Sequence, residues 1–151
     1  MFTDRNVQLH RVLRAPPERV YRAFLEPDAV AKWNAPHGFT ARVHEMDARV
    51  GGNYRMSFVN FATGTHHDFG GQYRQLVPSR CIVVCDRFDD PTLGGEMTLT
   101  VTLEPVSCGT HLYILQEGLP EAIPLELCTL GWQESLNLLA YLVETEISDD
   151  G

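Results

Sequence analysis

The stretch GTHHDFGG, Gly64 to Gly71, sets His66, His67 and Asp68 in a row, three side chains of the kinds that ligate zinc or move protons. A zinc site needs three or four such ligands meeting at about 2.0–2.3 Å. In an extended strand His66 and Asp68 point one way while His67 and Phe69 point the other. No spacing brings His37, His44 or His111 in to complete a set, so no metal is expected. The stretch reads instead as a wall, with Gly70-Gly71 as a bulge or sharp bend. If the register survives that bend, His67, Phe69 and Tyr73 share a face. There His67 is open to two readings: a proton donor in an apolar pocket, or a structural histidine with its hydrogen bonds satisfied.

Glu45 and Asp47 fall on one strand face, a spacing that invites acid–base catalysis, but paired carboxylates more often meet solvent or arginines, here Arg42, Arg49 or Arg74. No serine, cysteine or histidine stands in a nucleophile motif, and the glycine doublets lack phosphate-loop spacing. No catalytic residue is assigned. Tyr54, Met56 and Phe58 form an inward stripe that suits either packed core or ligand contact. Trp33 and Trp132 each add a large apolar surface with one N–H donor.

These side chains need elements to position them. Val7–Ala15 alternates as a first strand stopped by Pro16-Pro17. ERVYRAFLEP is a short helix ended by Pro27, and DAVAKW a second, with Asp28 as its cap. Phe39–Met46 and Tyr54–Val59 form a hairpin turned at Gly51-Gly52. The opening stretch follows as a strand to Val77, then Arg80–Phe88, then EMTLTVTLEP, then Thr110–Gly118, each with period two. After Pro124 the apolar period becomes three and four through Leu125, Cys128, Trp132, Leu136, Leu139 and Val143, which predicts one helix to about Ile147. Gly131 inside it weakens the helix and allows a close neighbour. The predicted fold class is α+β: a curved antiparallel sheet around a long C-terminal helix, with two short helices after the first strand.

The 151 residues fit one domain, 1–151, able to bury roughly 70% of its unfolded surface. A net charge of −8 disfavours nucleic acid and anionic lipid. No signal peptide or membrane span is expected, and Cys81, Cys85, Cys108 and Cys128 form no C-x-x-C pair. A cytoplasmic chain with reduced thiols is expected.

RAPPERVYRAFLEPDAVAKW, DARVGGNYRMSF, GGQYRQLVPSRCIVV, GTHLYILQEGLP and GWQESLNLLAYL, in this order over nearly the whole chain, resemble the SRPBCC or START-like helix-grip superfamily. Within it they are similar to the homologues of the heat-shock-protein ATPase activator. The resemblance implies a deep apolar cavity between the sheet and the terminal helix, used by relatives for lipids, polyketides, hormones or aromatic metabolites. Chaperone activators of this type carry an additional N-terminal domain, which this chain is expected to lack. The expected function is binding of a small hydrophobic or aromatic molecule, without cofactor or metal. The expected lining is Trp33, Phe39, Tyr54, Met56, Phe58, His67, Phe69, Tyr73, Trp132, Leu136 and Leu139. Two alternatives stay open, a polyketide-cyclase-like or hydrolase-like enzyme and a co-chaperone-like interaction module, as does a homodimer.

Overall fold

The computed structural model describes residues 5–144. Seven strands, β1 (Val7–Leu13), β2 (Phe39–Met46), β3 (Asn53–Asn60), β4 (His66–Val77), β5 (Cys81–Phe88), β6 (Met97–Val106) and β7 (Gly109–Glu117), form one antiparallel sheet in the order β1-β7-β6-β5-β4-β3-β2. Two short helices, α1 (Pro17–Leu25) and α2 (Pro27–Trp33), link the two edge strands, and α3 (Leu125–Glu144) closes the described chain. The fold is α+β, a curled half-barrel gripping a long helix. The predicted end of that helix near Ile147 lies outside the described residues.

Period-two apolarity sets the inner face. Val101 and Leu103 of β6, Leu112 and Ile114 of β7 and Leu13 of β1 are almost fully buried against Leu139 of α3 and Val20 of α1. Each helix supplies one apolar side. α3 packs on β1 and across α1 and α2, while α2 packs on β2, so the helices bridge the two free edges of the sheet.

Prolines set the helix starts. Pro17 and Pro27 each stand in a first turn, where a missing N–H costs nothing. Asp28 is not the cap expected from the sequence. Glu26, extended and without a side-chain cap bond, precedes α2, and Asp28 sits inside its first turn, where a negative charge favours the helix dipole.

The curl has two kinds of cause. Register shifts fall between Val43 and Glu45 and between Tyr73 and Gln75, so the extra residues are His44 and Arg74. Gly70-Gly71 is not a bulge: it stays in register, with Tyr54 opposite Gly71 on one side and Asp86 opposite it on the other. Its role is close approach. A Cβ on Gly70 would stand 2.6 Å from the Tyr54 carbonyl oxygen, and one on Gly71 would stand 2.5 Å from that of Cys85 and 2.7 Å from the Asp86 Cβ.

Gly131, by contrast, has room. A Cβ there would meet only the Pro36 Cβ, at an ordinary 3.7 Å. Gly131→Ala should therefore stabilise the protein by up to about 1 kcal/mol through helix propensity. Gly71→Ala should destabilise it by roughly 1–3 kcal/mol through overpacking. Urea denaturation of the two variants checks the opposite signs.

Candidate functional site

The inner face carries one polar row among apolar ones. Along β5 the inward positions are Ile82, Val84, Asp86 and Phe88, so a carboxylate interrupts an otherwise hydrophobic series. Tyr54 on β3, Gly71 on β4 and Asp86 on β5 lie in one cross-strand row. Because Gly71 has no side chain, the Tyr54 phenol lies across it and donates to Asp86 Oδ2 at 2.7 Å. Asp86 keeps only 8% of its surface exposed, and its Oδ1 has no hydrogen-bond partner among the described residues. Next to Asp86 on β6 stands Met97, whose sulfur accepts from Gln116 Nε2 at 3.8 Å. Gln116 Oε1 in turn accepts from Trp132 Nε1 of α3 at 2.8 Å and from Cys128 Sγ at 3.4 Å. The row thus runs from β3 across the sheet to α3.

Burial dominates its electrostatics. Removal from water pushes the Asp86 carboxyl up to about 6, with the Tyr54 bond and its own backbone N–H pulling the other way and the charge of Glu96 adding to the rise. Burial, then the Asp86 charge, holds the Tyr54 phenol well above its ordinary value. Burial pushes Tyr73 up to about 12, with Asp47 contributing. At neutral pH the site holds one carboxylate and two neutral phenols. A carboxyl titrating near 6 can take or give a proton at physiological pH, or accept a bond from a bound molecule.

Aromatic rings surround this row. Phe69 stands 6.3 Å from Tyr54, 4.8 Å from Phe58 and 6.1 Å from Phe88, all edge-on, and Tyr73 lies 6.0 Å from Tyr54. Of the residues expected from the sequence, Tyr54, Met56, Phe58, Phe69, Tyr73, Trp132, Leu136 and Leu139 fall in one hydrophobic cluster on the inner face. Trp33 also belongs to it, but sits fully buried, its N–H given to the Ala23 carbonyl at 2.8 Å and its ring edge-on to Phe24. His67 and Phe39 lie apart at the end of the sheet, 6.1 Å between ring centres, with His67 exposed. Asp86 and Gln116 were missed. The signal for Asp86 was present, an aspartate in phase with Ile82 and Val84.

His66 and Asp68 do point away from His67 and Phe69. On the outer face Asp68 Oδ1 accepts from Ser57 at 2.5 Å and from His66 Nδ1 at 2.9 Å, and these bonds hold its carboxyl below the usual range. Since the Ser57 hydroxyl gives its proton to Asp68, its oxygen is left to accept from His44 Nε2 at 2.7 Å. The serine therefore faces no histidine base. Among the described residues no group of three or more His, Cys, Asp or Glu side chains is arranged to hold a metal. Asp47 is matched by Arg49 at 2.7 Å.

Two clefts open beside the cluster. One of about 310 Å³ lies between β1 and α3, lined by residues including Leu9, Arg11, Thr129 and Leu136. The other, about 260 Å³, is bounded by His67, Asp68, Phe88, Asp89 and Leu93, so Phe88 is shared between this cleft and the aromatic group.

The buried carboxyl predicts a pH dependence of stability. Between about pH 4 and 6 the folded chain keeps a proton on Asp86 that the unfolded chain has lost, so stability falls as pH rises through that window and stays low above it. Asp86→Asn should flatten this slope and raise stability at pH 7 by about 1–2 kcal/mol, part of the charge-burial cost, because its amide is itself incompletely bonded. Denaturation of both proteins at pH 4.5 and 7 measures it.

The fold has counterparts. Protein CV1439 from Chromobacterium violaceum is 59% identical to the chain, with 94% of this chain and 99% of that one covered and a TM-score of 0.93. The AHSA1 protein from Silicibacter pomeroyi, at 21% identity, 91% and 96% coverage and a TM-score of 0.78, shares the fold. So does protein NE0264 from Nitrosomonas europaea, at 22%, 91% and 93%, and 0.78. Comparison with curated proteins gives no match. The family model described as Activator of Hsp90 ATPase homolog 1-like protein matches residues 14–144, and the chain belongs to that family.

Proposed function

We propose that the chain, as one domain over 1–151, binds a small, mainly apolar or aromatic molecule between the concave sheet face and α3. The observation that supports this is uneven burial of inward side chains. Phe69, Phe88, Leu99 and Trp132 point inward yet remain partly exposed, whereas Leu103, Leu112, Ile114 and Leu139 are sealed. Inward apolar surface left in contact with solvent is surface that a ligand can cover. Of the eleven residues expected from the sequence, Tyr54, Met56, Phe58, Phe69, Tyr73, Trp132 and Leu136, with Phe88, Leu99, Asp86 and Gln116 added, are the proposed surroundings, while Trp33 and Leu139 are sealed and Phe39 and His67 lie apart. Four unpaired cysteines suit a reducing compartment, in line with a cytoplasmic setting, and no helix of the described residues is long and apolar enough to cross a membrane.

A flat aromatic probe that covers roughly 150–250 Å² of apolar area gains about 4–6 kcal/mol before the losses of association. Micromolar to millimolar binding follows even for a non-cognate compound. Titration with 2-naphthol should quench Trp132 fluorescence and raise the melting temperature of the native chain. Leu99→Trp, which fills the partly exposed stretch of the inner face, should keep the fold by circular dichroism and lose the thermal shift. If the parent gives neither signal, or the filled variant binds as well, the domain works through its outer surface and the interaction-module reading takes over.

A further inference from the structure

Of all polar atoms on the inner face, Asp86 Oδ1 is the one that a ligand would complete. It is buried and without a partner among the described residues, while its sister oxygen is fixed by Tyr54. Leaving such an atom unmade costs free energy, so a fold that keeps it places it for something else to bond. Its surroundings narrow what that is. Tyr54 faces it from β3, Tyr73 stands beside Tyr54 from β4, and the charge of Glu96, on the segment before β6, acts on it from further off. Arg74 and Arg87 approach Glu96, at 3.7 and 3.6 Å, and no salt bridge to Asp86 occurs among the described residues. The rings of Phe58, Phe69, Phe88, Tyr54 and Tyr73 form a contiguous aromatic group around the row.

An unpaired carboxylate beside aromatic faces is the arrangement that favours a cation with an apolar body, through a charge-assisted hydrogen bond and ring quadrupoles together. Resting on the ligand-binding reading above, we propose that the ligand is an organic amine whose ammonium N–H donates to Asp86 Oδ1 while its hydrocarbon part lies among the rings. The net charge of −8 favours approach of such a cation and disfavours a carboxylate of the same shape. With the carboxyl near 6, an amine meets an ionised partner at pH 7.5 and a largely protonated one at pH 5.

Three probes of one body separate the contribution of the head group from that of the apolar body: 2-phenylethylamine, 2-phenylethanol and 3-phenylpropanoate, titrated calorimetrically into the full chain. At pH 7.5 the amine should bind at least about tenfold more tightly than the alcohol, and the carboxylate most weakly. Asp86→Asn should bring the amine down to the level of the alcohol without changing the alcohol, and lowering the pH to 5 should weaken only the amine in the parent. Tyr54→Phe, which leaves the carboxylate in place, should retain a preference for the amine and guards against a folding defect in the first variant. Equal binding of amine and alcohol, or an amine preference that survives Asp86→Asn, overturns the amine assignment while the ligand-binding reading stands. Failure of all three probes to bind overturns both.

Discussion

The close approach of β3, β4 and β5 at Gly70-Gly71 is the constraint on which the remaining architecture depends. A side chain on either glycine would run into backbone carbonyls at 2.5–2.6 Å. The sheet can curl there only because nothing projects, and the curl gives the inner face its depth. The same absence lets the Tyr54 phenol cross β4 and reach Asp86. The polar row and the part of the curvature that the bulges at His44 and Arg74 do not supply thus share one origin, and a single methyl group on Gly71 would disturb both.

The energetic consequence is that the fold carries a carboxyl whose ionised form is disfavoured by burial. Among the described residues Asp86 makes no salt bridge and one of its oxygens has no hydrogen-bond partner, and burial moves its titration up to about 6. Hydrophobic packing elsewhere, in the sealed layer of Leu13, Leu103, Leu112, Ile114 and Leu139, offsets that cost. A sealed layer under α1 and α3 with a partly exposed stretch beside it divides the inner face in two. The helices reinforce the division, since they rest on the two edge strands and on each other.

The elements were legible in the sequence because their signals are local. Period two in MTLTVTLEPV, period three and four after Pro124 and the prolines before each short helix all act within a turn or a strand. Features that depend on pairing between strands were not legible in the same way. The bulges at His44 and Arg74 arise from how β2 and β4 meet their partners, so Gly70-Gly71 was the natural but wrong place to expect one. The outward pairing of His66 with Asp68 followed from alternation alone, whereas their links to Ser57 and His44 required the β2–β3–β4 register. Asp86 lay in plain sight within CIVVCDRF, but its partner Tyr54 is 32 positions away, and only the row through Gly71 joins them.

The proposed role of Asp86 is that of a buried carboxyl, incompletely bonded among the described residues, whose free oxygen takes a ligand. Its most direct test is a ¹³C titration of the Asp86 carboxyl, free and saturated with 2-phenylethylamine. A midpoint near 6 is expected in the free protein, with a clear downward shift when the ammonium supplies the missing bond. A midpoint near that of an ordinary aspartate, or one unmoved by the bound amine, would contradict it.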